Sequence, residues 1–359
     1  MSTKVTVAAS GGDYTALDTA MDTEATDITA IATDLFDDVQ VAFRIQCENF
    51  EDTTVVVPAA AWTTDATHLL LIEAMDNHGG KYGKKAYRLA VDSASRVIDL
   101  TSDVNDLAMA GLQIQNAHDV NDSGRGVKTQ VTAAGIQRFL NLIIQNTSGI
   151  VPTTGANKAL FINDSFACTT RVRNCIFSGF GQGLRYGGFH SGKVVISANN
   201  TSHGCFNGID SGGASAANTT AKNNIIQETA PGGAAFVSVT NTSSNNISDD
   251  ATSPDVAFRN KTVRFVNAPG RNFALASDDK EAALKGVDLS ADATWPFNDD
   301  ASRLLIPIRP FDKLWDIGAL ERVVARRIVR RRVPKQDGAL VPWNFDPGLV
   351  GTEWKGIWQ

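Results

Sequence analysis

Acidic, basic and histidine side chains in the middle of the chain are of the types that can hold a cation or transfer protons. The set comprises Asp119, Asp122, Arg125, Asp164, Arg171, Arg173, Arg185, His190, His203 and Asp210. Carboxylates that hold a calcium ion beside an arginine or lysine would allow proton abstraction from an acidic sugar. Two or three carboxylates that face one groove would instead allow hydrolysis of a glycosidic bond.

The acidic members of this set are too sparse to predict a catalytic cluster. Between Phe166 and Asn246 the acidic residues are Asp210 and Glu228 alone. We therefore assign no catalytic residue and favour a protein that is not an enzyme. The residues that remain candidates for lining a groove for an anionic glycan are Arg173, Arg185, His190, His203 and Asp210. The alternative interpretation is that they are outward-facing polar positions on successive strands.

The elements that would have to position these residues recur along residues 111–248. There, short apolar runs recur, each ending in asparagine and followed by a stretch rich in glycine or serine. The last four repeats are built on Asn174-Cys175-Ile176, Asn199-Asn200-Thr201, Asn223-Asn224-Ile225 and Asn245-Asn246-Ile247. Their first asparagines are 25, 24 and 22 residues apart. A period in the low twenties with very short strands predicts a stacked solenoid, whose units bury apolar residues only against their neighbours.

Residue types select the kind of solenoid. Valine, isoleucine, phenylalanine and cysteine in runs of two to five suit short strands joined by tight turns. Asparagine tolerates a left-handed backbone at such turns, and stacked asparagine side chains can hydrogen-bond from coil to coil as a ladder. The prediction is an all-β fold, a right-handed parallel β-helix solenoid with an N-terminal cap and an extended C-terminal tail. An ordinary β-sandwich with polar loops remains the alternative.

Four segments are predicted along the chain. Residues 1–50 would contribute a strand and a capping helix, with Thr15 as N-cap and the helix running through Met21. Residues 51–268 would form the coils. Residues 269–321 would form an irregular, proline-bearing closing segment, and residues 322–359 a tail.

The tail differs from the rest of the chain in charge. Residues 322–359 contain eight lysines and arginines against three acidic residues, a net charge of +5, which leaves −11 for residues 1–321. Arginine and tryptophan commonly anchor protein interfaces. The predicted assembly residues are therefore Arg326, Arg327, Arg330, Arg331, Arg332, Trp343, Phe345, Trp354 and Trp358. Nucleic acid is a disfavoured partner because no aromatic residues are interleaved with these arginines. The alternative is that the tail folds back along the solenoid.

Cysteine and histidine spacing predicts neither a disulfide framework nor a metal site, and no cofactor is expected. Cys175 and Cys205 should point into the coil as buried thiols, and Cys47 and Cys168 should also be buried. No run approaches 18 apolar residues, so no membrane span is predicted. The first residues are too short in their apolar part for a secretory signal, so we expect synthesis in a cytoplasm.

Three stretches carry motifs that are familiar from one group of proteins. They are Gly11-Gly12-Asp13-Tyr14-Thr15, the run from Asn245 to Thr252, and the run from Phe265-Val266-Asn267 to Asp316-Ile317-Gly318-Ala319-Leu320-Glu321. In these stretches the chain resembles right-handed parallel β-helix proteins, pectate-lyase-like in fold, that occur in phage genomes and among bacterial surface proteins. The likeness covers roughly residues 5–321 and leaves out the tail.

The resemblance does not fix the function, but the missing export signal, the missing catalytic cluster and the additional tail favour a structural protein of a phage virion, made in the host bacterial cytoplasm. Such a protein would be a β-helical capsid decoration or a tail spike or fibre, anchored through its C-terminal tail. The expected partners are other virion proteins, further copies of the chain, with a trimer as one arrangement, and a glycan of the host surface. The alternative is a polysaccharide lyase, a glycoside hydrolase or a glycan-binding adhesin, because the same scaffold serves all of these.

Overall fold

The computed structural model describes most of the chain before residue 300 and short pieces after it. The described residues are 3–25, 28, 34–36, 39–59, 62–65, 68–76, 78–83, 86–100, 104–119, 124–163, 166–188, 192–212, 219–239, 243–297, 299, 315–320, 333–334 and 340–341. Two compact units divide the chain, residues 1–322 and residues 323–359. In the second unit, Val333–Pro334 pairs antiparallel with Leu340–Val341.

The first unit is built on three sheets of parallel strands, numbered here in chain order. Sheet 1 contains β1 (Thr3–Val7), β3 (Val39–Cys47), β5 (Leu69–Ala74), β8 (Leu107–Ala110), β11 (Gly135–Leu140), β14 (Cys168–Arg173), β17 (Val194–Ala198) and β20 (Thr219–Lys222). Sheet 2 contains β4 (Glu51–Asp52), β6 (Arg88–Val91), β9 (Gln113–Asn116), β12 (Ile143–Asn146), β15 (Ile176–Ser178), β18 (Thr201–His203), β21 (Ile225–Gln227) and β23 (Ile247–Ser248). Sheet 3 contains β7 (Arg96–Leu100), β10 (Arg125–Thr129), β13 (Lys158–Asn163), β16 (Gln182–Gly187), β19 (Asn207–Asp210) and β22 (Ala234–Val237).

A few elements lie outside these parallel stacks. The strand β2 (Asp34–Phe36) pairs antiparallel with β3 at one end of sheet 1. The strands β24 (Phe265–Asn267) and β25 (Asn272–Leu275) form an antiparallel hairpin. The helix α1 covers Leu17–Thr23, and one turn of 3-10 helix covers Val256–Phe258.

The chain visits the three sheets in a fixed order, so each circuit adds one strand to each sheet. After β14, β15 and β16, for example, β17 returns to sheet 1 and pairs parallel with β14. Equivalent residues stack in register from coil to coil, as in the column Ile143, Ile176, Thr201, Ile225, Ile247 on sheet 2. The predicted all-β solenoid is confirmed. The β-sandwich alternative is wrong, because sandwiches pair their strands antiparallel.

From β8 onward, each turn from sheet 1 to sheet 2 takes two residues with different tasks. The first residue has a left-handed backbone, with φ between 53° and 70°, at Gly111, Asn141, Asn174, Asn199, Asn223 and Asn245. Glycine and asparagine adopt this conformation at the least cost, which explains the composition of the corner. The second residue points into the coil: it is Leu112, Leu142 or Cys175 in earlier coils, and Asn200, Asn224 or Asn246 in later ones. The predicted asparagine ladder is confirmed by hydrogen bonds between these last three side chains.

One continuous apolar core runs through the coils and includes Cys175 and Cys205, as predicted. All four cysteines are buried and free. Small residues line the core side of sheet 3 where sheet 2 approaches it. A Cβ atom on Gly208 would lie 2.3 Å from Cγ2 of Ile226, so no larger residue fits there.

The helix α1 packs on the first coils and buries Leu17, Ala20 and Met21 in the same core. Its start differs from the prediction. The N-cap residue is Ala16, which makes no side-chain cap, rather than Thr15. The carboxylate of Asp52 takes that role by accepting a hydrogen bond from the Leu17 nitrogen at 2.9 Å.

The described residues of the closing segment (residues 269–321) lie over the outer faces of sheets 1 and 2. Ala319 and Leu320 pack against Ile143 and Ile176, and Ile317 packs against Ile225 and Ile247. The side chain of Asn223 bonds to the main chain of Val287 in both directions, at 2.8 and 2.9 Å. The segment therefore buries apolar side chains that a bare coil would expose. In the described part of the chain no helix is long and apolar enough to cross a membrane.

Candidate functional site

The residues predicted to line a glycan groove are distributed over all three sheets. Arg173 lies on sheet 1, His203 on sheet 2, and Arg185 and Asp210 on sheet 3. His190 lies outside the described residues, as do Asp122 and Asp164. Of the four groove candidates that the structure describes, it brings Arg185 and Asp210 together and leaves Arg173 and His203 apart. The predicted assembly residues, Arg326, Arg327, Arg330, Arg331, Arg332, Trp343, Phe345, Trp354 and Trp358, also lie outside the described residues.

Arg173 is buried under the closing segment. Its side chain is 1 % exposed, and its guanidinium carbon lies 4.6 Å from the ring centre of Trp295 and 4.7 Å from that of Phe297. Its Nε lies 3.4 Å from Oδ1 of Asp299. Arg171 is similarly placed, 5.5 Å from the ring of Trp295. These arginines hold the closing segment to sheet 1, and Arg173 is not accessible to a polymer in solution.

His203 lies at the turn that leaves sheet 2. Its Nε2 is 3.3 Å from a carboxylate oxygen of Glu228, and its ring packs against Phe265 and Phe273 at 5.7 and 5.0 Å. Burial lowers the pKa of His203, and the Glu228 carboxylate opposes this effect. Glu228 also lines a groove of about 310 Å³ that passes over the turns. The other lining residues are Gly149, Ile150, Val151, Pro152, Gly179, Gly204, Thr229, Ala230 and Pro231.

Charged side chains are concentrated on the outer face of sheet 3, where they form two columns. Strand pairing stacks Arg96, Arg125, Lys158, Gln182 and Asn207 in the first column. It stacks Asp99, Lys128, Phe161, Arg185 and Asp210 in the second column. We call the charged residues of both columns, together with Phe161, the sheet 3 strip. The strip contains five cations and two carboxylates.

Both carboxylates of the strip are engaged with neighbouring side chains. Asp210 forms an ion pair with Arg185 and accepts a hydrogen bond from Nε2 of Gln182 at 2.7 Å. Asp99 lies 2.5 Å from Nε of Arg96 and 3.8 Å from Nζ of Lys128. These contacts fix the carboxylates as counter-ions for three of the five cations.

The other two cations, Arg125 and Lys158, have no carboxylate partner among the residues that the structure describes. Lys158 donates to the carbonyl of Ala156 at 2.5 Å. Both cations lie over the ring of Phe161, Arg125 at 4.9 Å and Lys158 at 5.5 Å from its centre. Burial, together with the positive charges of Arg125 and Arg185, lowers the pKa of Lys158 to about 8, and the carboxylate of Asp210 opposes this effect. Burial and the charge of Arg96 likewise lower the pKa of Arg125.

This arrangement is suited to binding anions. Arg125 and Lys158 form no ion pair with a carboxylate in the described part of the chain, so they will attract carboxylate, sulfate or phosphate groups, and such groups would raise the lysine pKa again. Among the described residues, no group of three or more histidine, cysteine or acidic side chains is placed to hold a metal ion.

Sequence reasoning named Arg125, Arg185 and Asp210 among its candidates but missed the other members of the strip. Successive members of the first column, Arg96, Arg125, Lys158 and Gln182, are 29, 33 and 24 residues apart. Such uneven spacing gives no periodic signal, because the loops between the strands differ in length. No protein-family model matches the chain, and no curated protein matches it.

Proposed function

We propose that the chain is a structural protein of a phage particle, a β-helical appendage such as a capsid decoration or a tail spike or fibre. The observation that carries this proposal is a rod of stacked coils whose apolar outer faces on sheets 1 and 2 are covered by the protein's own closing segment. Sheet 2 has eight strands in one stack, and seven steps of about 4.8 Å give a length of about 34 Å. A rod of stacked coils resists bending because every strand is hydrogen-bonded to the coils on either side.

The packing of the closing segment on sheets 1 and 2 supports the same proposal. An uncovered column of isoleucines on sheet 2 would be an apolar patch prone to association. Instead Ile225 and Ile247 are 1 % and 0 % exposed, beneath Ile317 of the closing segment. On sheet 1, Trp315 packs with Phe297 and Ala198 in the same way. The protein thus covers these two faces itself, which suits a body that projects into solvent.

Attachment to the particle is assigned to residues 322–359, with other virion proteins as partners. Residues 323–359 form a compact unit of their own, which supports a separate role for the tail. The test is to delete residues 322–359 and measure incorporation into purified particles by immunoblotting. We expect the shortened protein to stay soluble and folded by circular dichroism but to be absent from particles.

A matched pair of variants separates charge from aromatic anchoring in the tail. One variant changes the five predicted arginines to glutamine, and the other changes Trp343, Phe345, Trp354 and Trp358 to serine. Loss of incorporation in either variant identifies the anchoring residues. Normal incorporation of the deleted protein would refute the role of the tail, and absence of the intact protein from particles would refute the virion assignment.

The appendage is proposed to be a homo-oligomer, with a trimer as the arrangement to test first. Sedimentation velocity of the full chain distinguishes the cases directly. A single species at the monomer mass of 38.3 kDa across micromolar concentrations would contradict this part of the proposal.

Polysaccharide cleavage is the second candidate, and Lys158 is the observation that favours it. A lysine with a pKa of about 8 is partly neutral near physiological pH and is able to accept a proton. The test is to incubate the protein with pectin, alginate and host capsule, with and without calcium. Unsaturated or reducing ends that form with the intact protein but not with Lys158→Met would establish this function in place of a purely structural role.

A further inference from the structure

The last described strand of sheet 3, β22 (Ala234–Val237), lies at one end of the solenoid. It pairs with β19 on one side and stands at the end of the strand order of the sheet, so its other side is an edge. An edge strand can pair with a strand of another molecule through main-chain N–H and C=O groups. In a solenoid each coil pairs only with its neighbours, so such edges are concentrated at the two ends. A second copy of the chain would therefore add most readily at an end.

Two side chains of the run that follows β23 cover the edge of β22. Oδ2 of Asp250 accepts a hydrogen bond from the Ala235 nitrogen at 2.8 Å, and Oγ1 of Thr252 accepts one from the Phe236 nitrogen at 2.9 Å. The Thr252 hydroxyl in turn donates to Oδ1 of Asp250 at 2.6 Å. Two side-chain oxygens thus occupy N–H groups with which a further strand would pair.

This cover ends the strand ladder instead of extending it. Burial alone would raise the pKa of Asp250, but hydrogen bonds from the Thr252 hydroxyl and from the nitrogens of Ala235 and Thr252 lower it. The carboxylate is therefore ionised at neutral pH and only accepts hydrogen bonds. A strand presents both donors and acceptors to its neighbour, whereas an ionised carboxylate supplies no donor. A strand of another copy would have to displace both side chains before it could pair with Ala235 and Phe236.

The opposite end of the solenoid is covered by the same chemistry. There β1 is the edge strand of sheet 1, and Val56 pairs with Ile98 of β7, which stands at the other end of sheet 3. Carboxylates again accept hydrogen bonds from main-chain nitrogens at this end. The pairs are Asp13 with Thr6 at 2.7 Å, Asp18 with Val57 at 2.8 Å and Asp22 with Ala59 at 2.7 Å. The cover at β22 is therefore one case of an arrangement that is present at both ends.

The symmetry of an end contact fixes what an opened end would do. Contacts between unlike ends repeat without closing and build filaments, whereas a contact between two like ends has twofold symmetry and closes at two copies. If only the β22 end is opened, the carboxylates at the other end stay in place. The expected product is therefore a pair in which β22 of one copy lies antiparallel to β22 of the other.

We propose that Asp250 and Thr252 form an autoinhibitory contact, which prevents the β22 edge from pairing with the β22 edge of a second copy of the chain. The blocked contact would use main-chain hydrogen bonds between two strands of four residues each. The inference does not depend on the assignment to a phage particle, because purified protein alone tests it.

The experiment compares three forms of the full chain by sedimentation velocity across micromolar concentrations. The test variant is Asp250→Ala with Thr252→Val, which removes both acceptors. The control variant is Asp250→Asn with Thr252→Ser, which keeps an oxygen acceptor at each position. We expect the test variant to reach twice the mass of the original protein as its concentration rises, and the control variant to sediment like the original protein.

Hydrogen exchange at the Phe236 amide reports the same contact directly. In the dilute test variant this amide has lost the Thr252 oxygen, so it should exchange faster than in the original protein. In the concentrated test variant the second copy supplies a new acceptor, so exchange should become slow again. A side chain that only stabilised the last coil would give fast exchange at every concentration.

Circular dichroism separates association from loss of structure. A folded test variant that sediments like the original protein at every concentration would overturn the proposal, and so would equal association of the test and control variants. If the double substitution unfolds the protein, Thr252→Val alone is the second variant, because it exchanges one hydroxyl for a methyl group. This variant should show the same dependence of Phe236 exchange on concentration, and exchange that does not change with concentration would refute the autoinhibitory contact. None of these results bears on incorporation into particles.

Discussion

Nδ2 of Asn200 lies 3.1 Å from Oδ1 of Asn224, and the same oxygen lies 3.0 Å from the backbone nitrogen of Asn200. One side-chain amide therefore binds both the side chain and the main chain of the neighbouring coil. Asn246 repeats the arrangement toward Asn224, at 2.8 and 3.1 Å. These groups are buried inside the solenoid, where each polar group left unpaired costs about 1–3 kcal/mol.

Replacing Asn224, the middle asparagine of this ladder, should lower the free energy of unfolding more than replacing an ordinary buried asparagine. In Asn224→Ala, Asn200 loses its acceptor and Asn246 loses its donor, so we expect the free energy of unfolding to fall by roughly 3–5 kcal/mol. Urea unfolding followed by circular dichroism measures the change. The control is Asn267→Ala at an exposed position, where we expect a loss below about 1 kcal/mol. Equal losses in the two variants would mean that the ladder does not stabilise the coils.

Asn223 combines a left-handed backbone, with φ of 56°, with two hydrogen bonds to Val287. Two substitutions separate these contributions. Asn223→Gly keeps the backbone conformation and loses only the side-chain bonds, so we expect faster amide exchange at Val287 in an intact solenoid. Asn223→Ala loses the same bonds and adds about 1 kcal/mol of backbone strain. If alanine proves as stable as glycine in urea unfolding, the left-handed corner is not maintained by the choice of residue.

Arg173 should matter for stability rather than for binding. In Arg173→Ala the carboxylate of Asp299, 2 % exposed, loses a cationic neighbour, and Trp295 and Phe297 lose a packing partner. Breaking a buried ion pair by removing one member costs about 3–5 kcal/mol. We expect the closing segment to become sensitive to limited proteolysis.

Arg264→Ala is the matched control for this arginine. Arg264 pairs with Asp278 at the surface, and the two side chains are 65 % and 56 % exposed. Exposed ion pairs contribute about 0–1 kcal/mol, so this variant should resist protease like the original protein. Protease sensitivity of both variants to the same degree would contradict the role assigned to Arg173.

We expect the folded protein to lose stability in acid because of His78. Its Nε2 donates to the carbonyl of Asn141 at 2.6 Å, and its Nδ1 accepts a hydrogen bond from the Gly80 nitrogen at 2.9 Å, which requires a neutral ring. Burial lowers the pKa of His78 from 6.5 to about 4. Because the unfolded chain takes up the proton first, the stabilisation is complete above pH 6.5 and is lost as the pH falls toward 4. The loss is about 3 kcal/mol.

The variant His78→Gln isolates this effect, because glutamine does not titrate and can still donate to the carbonyl. Between pH 7 and pH 4 the original protein should lose about 3 kcal/mol more than the variant in urea unfolding. Asp106 has the opposite effect on stability as the pH falls, because burial raises its pKa to about 6 and the folded protein takes up this proton first. Both proteins contain Asp106, so its contribution cancels when their losses are compared. The same loss in both proteins would show that His78 is not the acid-sensitive group.

The sequence alone predicted the features that depend on local backbone preference. The period of the repeat, the left-handed asparagines at the later corners, the ladder inside the coil and the burial of Cys175 and Cys205 all follow from residue types within one or two coils. The start of α1 was not predicted, because Asp52, rather than the neighbouring Thr15, accepts the hydrogen bond from Leu17.

Only the tertiary structure decided which side chains share a face. Arg173 was a candidate for a groove until the chain, 122 residues later, returned to place Trp295 over it. Arg125 and Lys158 became neighbours because a loop between two strands lets them stack in register. A repeat fixes how each coil turns, since that depends on local dihedral energies. Loop length and the path of the closing segment fix what the surface presents, and both depend on packing between residues that are distant in the sequence.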